Sequence, residues 1–228
     1  MSGVAVLIPA YNEADRVGET IKAALGIPGV SRVVVIDDGS MDGTFDAARA
    51  SGADPVIRLP RNRGKGAALN AGLRQTTEPV LLLLDADLND SSAEGIRLVT
   101  PILSGGADMT IATFRRTVAG GGFGFAVKLA RWGIRALTGR GMTAPLSGQR
   151  CVVRTLLEEC GGFEQGFGVE TALTIDALRR GYRVLEVETG MTHRVTGRDW
   201  RANIHRARQF RDIGLTLLKR ALSRGRNH

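Results

Sequence analysis

The sequence predicts an α/β fold: a mainly parallel sheet with helices on both faces. Three observations predict it. Short apolar runs recur through the first half of the chain, at Val4 to Ile8, Val33 to Ile36, Pro55 to Leu59, Val80 to Leu84 and Met109 to Thr113. The stretches between them are long enough for the crossover helices that parallel neighbours require. The loops after four of these runs are rich in Asn, Asp, Gly and charge, the composition of a ligand-binding rim at strand C-termini.

Each element has its own signal. Val4 to Ile8 is an unbroken apolar run that ends at Pro9, as expected of a strand buried on both faces, and the next four runs are read on the same grounds. Asp42 and Thr44 mark a helix start before Phe45, and Ser91 with Glu94 forms a capping-box pattern. After Arg115 the rhythm changes. Gly120, Gly121, Gly122 and Gly124 make a flexible segment, and a basic amphipathic helix with Lys128, Arg131 and Trp132 runs from about Phe125 to Leu137. Leu146 to Val153 reads as a strand, Val169 to Arg180 as a helix and Tyr182 to Val187 as a strand. The tail places Ile204, Ala207, Phe210, Ile213, Leu217 and Leu218 near helical spacing with arginines between them, a basic amphipathic C-terminal helix. With no repeat and no linker, residues 1–228 read as one domain.

Composition narrows the partners. A chain of 228 residues with 43% hydrophobic and 24% charged residues can bury a sizeable core, which excludes disorder. A net charge of +8 favours nucleotides, phosphorylated substrates, acidic lipid or nucleic acid. Aromatic content of 5% offers few stacking platforms and argues against nucleic acid. Cys151 and Cys160 lack CxxC spacing and read as core thiols. Val4 to Ile8 is too short for a leader and no run approaches a spanning length, so the protein is expected in the cytoplasm, soluble or peripheral at the inner face of the membrane.

The strongest chemical signal is Asp85-Ala86-Asp87, directly after Val80 to Leu84. Two carboxylates at a strand end either hold Mg2+ or Mn2+, the hard ions that suit oxygen ligands, or solubilise the strand end and cap the next helix. Asn89 either adds an oxygen ligand or caps that helix. The first strand ends in Pro9-Ala10-Tyr11-Asn12-Glu13 and the second in Asp37-Asp38-Gly39-Ser40, so parallel topology gathers a ring and carboxylates at one edge. Tyr11 can stack on a base and Asp38 can accept from a ring nitrogen or ribose hydroxyls. The third loop, Arg61-Asn62-Arg63-Gly64-Lys65-Gly66, opens a helix whose positive end favours an anion. It is no Walker A loop, since Leu59 and Gly66 stand where that motif needs Gly and Ser or Thr.

Pro9 to Glu13, Asp37 to Thr44, Asn62 to Gly66 and Asp85 to Asp87, in this order and each after a strand candidate, resemble family 2 glycosyltransferases of the Rossmann-like GT-A fold. The resemblance implies a nucleotide diphosphate sugar donor, UDP-linked rather than GDP-linked, bound by residues 1–115 through Pro9, Ala10, Tyr11, Glu13, Asp37, Asp38, Arg61, Gly64, Lys65, Asp85, Ala86 and Asp87. Residues 116–228 would form the acceptor-binding half. Thr113 to Arg116 and Ser147-Gly148-Gln149-Arg150 look like polyprenyl-phosphate sugar synthases, with Gln149 in place of their Phe, while Gly168-Val169-Glu170 and Thr192-His193-Arg194 look like glucosyl-3-phosphoglycerate synthases. The implied acceptor is therefore phosphorylated, a polyprenyl phosphate or phosphoglycerate. His193 would join Asp87, Asp85 and Asn89 as a metal ligand, and Arg194 and Arg198 would clamp phosphate, against the alternative of a solvated basic loop. Arg115, Ser147, Gly148, Gln149, Arg150 and Arg198 would line the acceptor side. Asp87, Glu170, His193 and Arg194 would carry the chemistry, with Glu170 a base, an acceptor-orienting group or a helix-start residue. The reading also leaves room for an anionic membrane surface and for a homodimer. A nucleotidyltransferase is the alternative enzyme, and a catalytically silent nucleotide-sugar-binding protein the alternative outside catalysis.

Overall fold

The computed structural model describes residues 3–114, 124–192 and 200–223. Arg115, His193, Arg194 and Arg198, and the glycines from 120 to 122, lie outside them. The described chain runs β1 (Val4–Ala10), α1 (Val17–Leu25), β2 (Val30–Asp37), α2 (Thr44–Ala50), β3 (Val56–Arg58), α3 (Lys65–Leu73) and β4 (Val80–Leu83). A 3-10 segment (Asn89–Gly95) leads to α4 (Ile96–Leu103), β5 (Met109–Phe114), α5 (Gly124–Thr138), β6 (Arg150–Val153) and α6 (Arg154–Glu159). A 3-10 turn (Gly166–Gly168) then opens α7 (Val169–Arg179), followed by β7 (Val184–Thr189) and α8 (Trp200–Ser223).

The strands form one seven-stranded sheet in the order β3-β2-β1-β4-β6-β5-β7. All neighbours are parallel except β6, which runs against both β4 and β5. Its register sets Leu83 opposite Arg150, so the start of β6 meets the end of β4.

Period-two alternation divides the strand side chains between two cores. Ala5 and Leu7 of β1 join Val34, Ile36, Leu81 and Leu83 on the face covered by Leu69, Ile134, Leu173 and Leu217 of α3, α5, α7 and α8. Val4, Val6 and Ile8 join Val33, Val35, Val80 and Leu82 on the face covered by Ile21, Ala48 and Leu98 of α1, α2 and α4. A sheet covered on both sides needs apolar residues at every position, the cause of the continuous runs in the sequence. Each fully buried Leu, Ile or Val contributes about 1.5–3 kcal/mol over exposure.

Three local expectations change. The strand expected over Leu146 to Val153 is confined to Arg150–Val153, because the residues before it make a turn in which Ser147 N donates to Ala144 O at 3.1 Å. Ser91 makes no capping box: its hydroxyl donates to Leu88 O at 2.6 Å inside the 3-10 segment, and Glu94 pairs with Arg97 at 2.7 Å. Cys151 is a core thiol whose pKa burial pushes up, whereas Cys160 is only partly buried. Asp42 does hold the start of α2, accepting from Thr44 N at 3.0 Å. Among the described residues no helix is long and apolar enough to cross a membrane.

Gly39 fixes how closely the second and third rim loops approach. Its φ is +75°, and a Cβ there would stand 2.6 Å from the carbonyl carbon of Arg61. Gly39→Ala adds left-handed strain of about 1–2 kcal/mol to overpacking against backbone of about 1–3 kcal/mol. Urea unfolding should show a loss of about 2–5 kcal/mol, whereas Gly105→Ala, with φ +71° and nothing within 4 Å, should lose only the strain.

Candidate active site

The rim at the C-terminal ends of β1, β2 and β4 is held together by side chains bonding to neighbouring backbone. Asn12, at φ +56°, donates its N–H to Ser40 Oγ at 2.9 Å, and its Oδ1 accepts from Met41 N at 2.9 Å. Glu13 N donates to Thr44 Oγ1 at 2.9 Å, and Ala14 N to Asp42 Oδ2 at 3.2 Å. These bonds tie the first loop to the second. Tyr11 is left 44% exposed at their edge, open to stack on a planar ligand.

The two aspartates of the second loop are inward. Asp37 is fully buried; Oδ1 accepts from Ser40 N at 2.8 Å, and Oδ2 lies 3.4 Å from Arg58 Nε without a hydrogen-bond partner. Asp38 accepts from Arg63 N and Gly64 N, both at 2.8 Å. The sequence reading gave Asp38 to a ligand and the start of α3 to a phosphate. Instead the Asp38 carboxylate bonds the two residues that precede the first helical residue of α3. It shapes the third loop, and Arg61 stays exposed beside it.

The first residue of α3, Lys65, joins the halves of the site. Its Nζ lies 2.7 Å from Asp85 Oδ1 and 3.2 Å from Glu170 Oε1, linking the end of β4 to the first turn of α7. Burial pulls the ammonium toward neutrality, but Asp85 and then Glu170 outweigh it and hold its pKa above the ordinary lysine value. Gly66 permits this placement: a Cβ there would lie 2.0 Å from Glu164 O, so α3 meets the segment before α7 backbone to backbone. Asp85 Oδ2 accepts from Gln149 Nε2 at 2.5 Å, so both of its oxygens are engaged.

That engagement separates the two carboxylates of Asp85-Ala86-Asp87. Ala86 is buried, and its carbonyl accepts from Thr20 Oγ1 at 2.9 Å; the same hydroxyl accepts from Asn89 N at 2.8 Å. Thr20 of α1 thus pins the loop that carries Asp87. Sequence reading missed it, although a hydroxyl within the apolar stripe Val17, Thr20, Ile21 and Ala24 was the available signal. Asn89 Oδ1 is buried without a hydrogen-bond partner, two residues from the half-buried Asp87. Oxygen donors of this kind fit a hard divalent ion. Among the described residues no group of three His, Cys, Asp or Glu side chains is placed to hold a metal ion, and His193 falls outside them.

The expected acceptor segment takes a different part. Ser147 is 7% exposed, Gln149 0% and Arg150 1%, so all three are interior. Gln149 orients Asp85, and Arg150 binds backbone and Thr174. Gly148 lies against the ion cluster. A Cβ there would stand 2.2 Å from Lys65 Nζ and 3.2 Å from both Asp85 oxygens.

The rim sets paired acids at the end of a central strand beside an antiparallel strand, and comparison with known proteins assigns this fold to the glycosyltransferases. The profile described as "Glycosyl transferase family 2" matches residues 5–152, and the chain belongs to that family. Glycosyltransferase AglJ of Haloferax volcanii is 29% identical over 226 residues, covering 96% of this chain and 72% of that protein. Glucosyl-3-phosphoglycerate synthase of Mycolicibacterium smegmatis is 33% identical over 198 residues, 78% of this chain but 64% of the synthase, which is the longer protein. The crystal structure of glucosyl-3-phosphoglycerate synthase from Mycobacterium tuberculosis in complex with Mn2+, UDP and phosphoglyceric acid superposes with a TM-score of 0.79 at 30% identity, covering 96% of this chain and 78% of that one. The same synthase is also described with Mg2+ and UDP.

Competitive acylation with mass-spectrometric detection tests the cluster. A lysine whose pKa is raised stays protonated to higher pH, so Lys65 should label more slowly at pH 9 than Lys22, Lys128 or Lys219. Gly148→Ala, which forces Nζ aside, should raise the Lys65 rate several-fold while Tm shifts by only about 2 °C, because the atom displaced ends a flexible side chain.

Proposed function

We propose that this chain moves a sugar from a uridine diphosphate sugar to a phosphorylated acceptor, with Mg2+ or Mn2+ bound. The observation that carries the reading is the Lys65, Asp85 and Glu170 cluster beside Asp87 at the end of β4, in a chain that superposes on a synthase crystallised with UDP, Mn2+ and phosphoglyceric acid. Asp87 and Asn89 Oδ1 would hold the ion, since Asp85 is engaged by Lys65 and Gln149. By resemblance His193 would join them as a metal ligand, and Arg194 would clamp phosphate. When bound, the ion supplies Lewis-acid stabilisation of the diphosphate leaving group.

The chain's own residues bind and orient. Tyr11 offers its exposed ring to the base, and Asp37, Asp38, Pro9, Ala10 and Glu13 give that end of the rim its shape. Lys65 brings a permanent positive charge to where diphosphate charge develops. Glu170, on the other side of Lys65, faces the sugar and acceptor. A polyprenyl phosphate has a second pKa of about 6 and is mostly dianionic at neutral pH, so its phosphate oxygen attacks without a protein base. Phosphoglycerate would react through its hydroxyl, where a retaining transfer would likewise need no classical protein base.

Phosphoglycerate is the acceptor favoured by the solved synthase complexes. Polyprenyl phosphate at an anionic surface is the second reading, and a specific feature favours it. α5 contains no acidic residue and exposes Phe125 (80%) and Trp132 (68%), and α8 exposes Leu215, Leu218 and Leu222.

Calorimetric titration of UDP, GDP and CDP, each with Mn2+ and with chelator, tests the donor site. UDP should bind with Mn2+ and weaken at least about tenfold, 1.4 kcal/mol or more, with chelator or in Asp87→Ala. Metal-independent or absent binding would refute the reading. Transfer assays with 3-phosphoglycerate and with polyprenyl phosphate in anionic vesicles then separate the acceptors. Trp132→Ser should lower only the vesicle reaction, and sizing of the same variant shows whether that face joins two copies instead.

A further inference from the structure

We infer that the buried Arg150 is a positioning residue of the transfer reaction, closing a ring of bonded residues that sets the spacing of Asp85 and Glu170 about Lys65. The inference rests on the donor-site reading above, because the Asp85, Lys65 and Glu170 cluster lies beside Asp87, where the donor would bind.

Arg150 is 1% exposed, and among the described residues its guanidinium meets no carboxylate at hydrogen-bond distance. Nε donates to Ser147 O at 2.8 Å, Nη2 to Pro145 O at 3.1 Å and Nη1 to Thr174 Oγ1 at 2.8 Å. Burial lowers its pKa to about 10, with Glu170 and then Glu186 opposing the fall, so it remains a cation at neutral pH. A buried charge costs several kcal/mol to desolvate, and an apolar side chain of the same volume would often give equal or greater stability. Arginine's rigid fork does what such a side chain cannot: it holds two carbonyls of one turn and a hydroxyl of another element in a single plane.

The bonds continue on both sides. Thr174 Oγ1 donates to Glu170 O at 2.8 Å, one helical turn back along α7, and Glu170 reaches Lys65 at 3.2 Å. On the other side Ser147 Oγ donates to Gln149 Oε1 at 3.3 Å, Gln149 Nε2 donates to Asp85 at 2.5 Å, and Asp85 holds Lys65 at 2.7 Å. The path from Asp85 through Gln149, Ser147, Arg150, Thr174, Glu170 and Lys65 returns to Asp85. Other bonds fix the turn from outside: Glu186 of β7 accepts from Thr143 N at 2.8 Å and Ala144 N at 2.7 Å, and Arg131 of α5 donates to Thr143 O. Among the described residues, Arg150 is the cation that joins that turn to α7 from within. The bonds that tie the first two rim loops together, which would carry base and ribose, lie outside the ring. Its loss should therefore misplace the sugar and acceptor while sparing nucleotide affinity.

Steady-state transfer kinetics, Mn2+-UDP calorimetry and thermal unfolding of Arg150→Met, Arg150→Lys and Thr174→Val test this. Misplacement by about 1 Å costs on the order of 100-fold, so Arg150→Met should lose about that much kcat while the UDP Kd changes less than about threefold. Arg150→Lys should recover part of the loss. Thr174→Val keeps the volume and cuts the two links made by its hydroxyl; it should lower kcat about tenfold, and its effect should not add to that of Arg150→Lys. Should Arg150→Met fail to fold, Thr174→Val and Arg150→Lys decide. Wild-type kcat in either folded variant, or equal losses in kcat and UDP affinity, overturns the inference. A wild type that binds Mn2+-UDP but releases no UDP from any UDP-sugar overturns the transfer reading and this inference with it. Transfer by wild type and unchanged kcat in the variants overturns the inference alone.

Discussion

The site depends on an ammonium group placed between two carboxylates. Asp85 and Glu170 come from elements far apart in the chain, the end of β4 and the start of α7, and without Lys65 their charges would repel across a partly buried gap. Once that cation is present, much of the surrounding architecture reads as the means of delivering it. Gly66 lets α3 touch the segment before α7, Gly148 leaves the space that Nζ occupies, and Asp38 holds the turn from which Lys65 emerges. The same cation gives a diphosphate a reason to bind there, since it lies beside the carboxylates proposed to hold metal and sugar.

Rigidity around this centre comes from the sheet and from short local bonds. Parallel β1, β2 and β4 end together, so three loops share one edge without any long connection. Those loops are then joined by side chains whose partners are backbone groups, at Asn12, Asp38, Ser40 and Thr44. Such bonds fix loop shape while leaving Tyr11 on the outside. A nucleotide can thus meet a surface whose polar groups are already organised, which reduces the ordering cost of binding.

Much of this was legible in the sequence. Strands buried on both faces must be apolar throughout, and the runs at Val4, Val33, Val80 and Met109 showed it; the paired acids after Leu84 and the Gly-Lys-Gly at residue 64 marked the rim. Hidden from the sequence was the direction in which a polar residue faces. Asp38 and Gln149 read as ligand-contacting residues but turn inward to backbone and to Asp85, because a short Asp or Gln satisfies a neighbouring loop as readily as a substrate. Arg150 was placed on the acceptor side by resemblance; its partners are two carbonyls and a hydroxyl, which leave no trace in a sequence. The turn before it read as strand although Ser147 and Gly148 break the apolar pattern between Leu146 and Cys151. Thr20 was hidden for the opposite reason, a single hydroxyl in an otherwise apolar helix face.

The antiparallel setting of β6 has a consequence for how such a chain can diversify. A parallel strand delivers to the rim only the loop at its C-terminal end. β6 enters the sheet at the rim, with Arg150 opposite Leu83, and so delivers the loop at its N-terminal end instead. The polypeptide between β5 and Arg150 is therefore tethered at both ends on the ligand side of the sheet, like a handle on a lid. Lengthening or rewriting that handle would recast the second substrate's side of the cleft while β1, β2 and β4 keep their register. On the proposed function, donor recognition and acceptor choice would in this way be built on separable stretches of one chain.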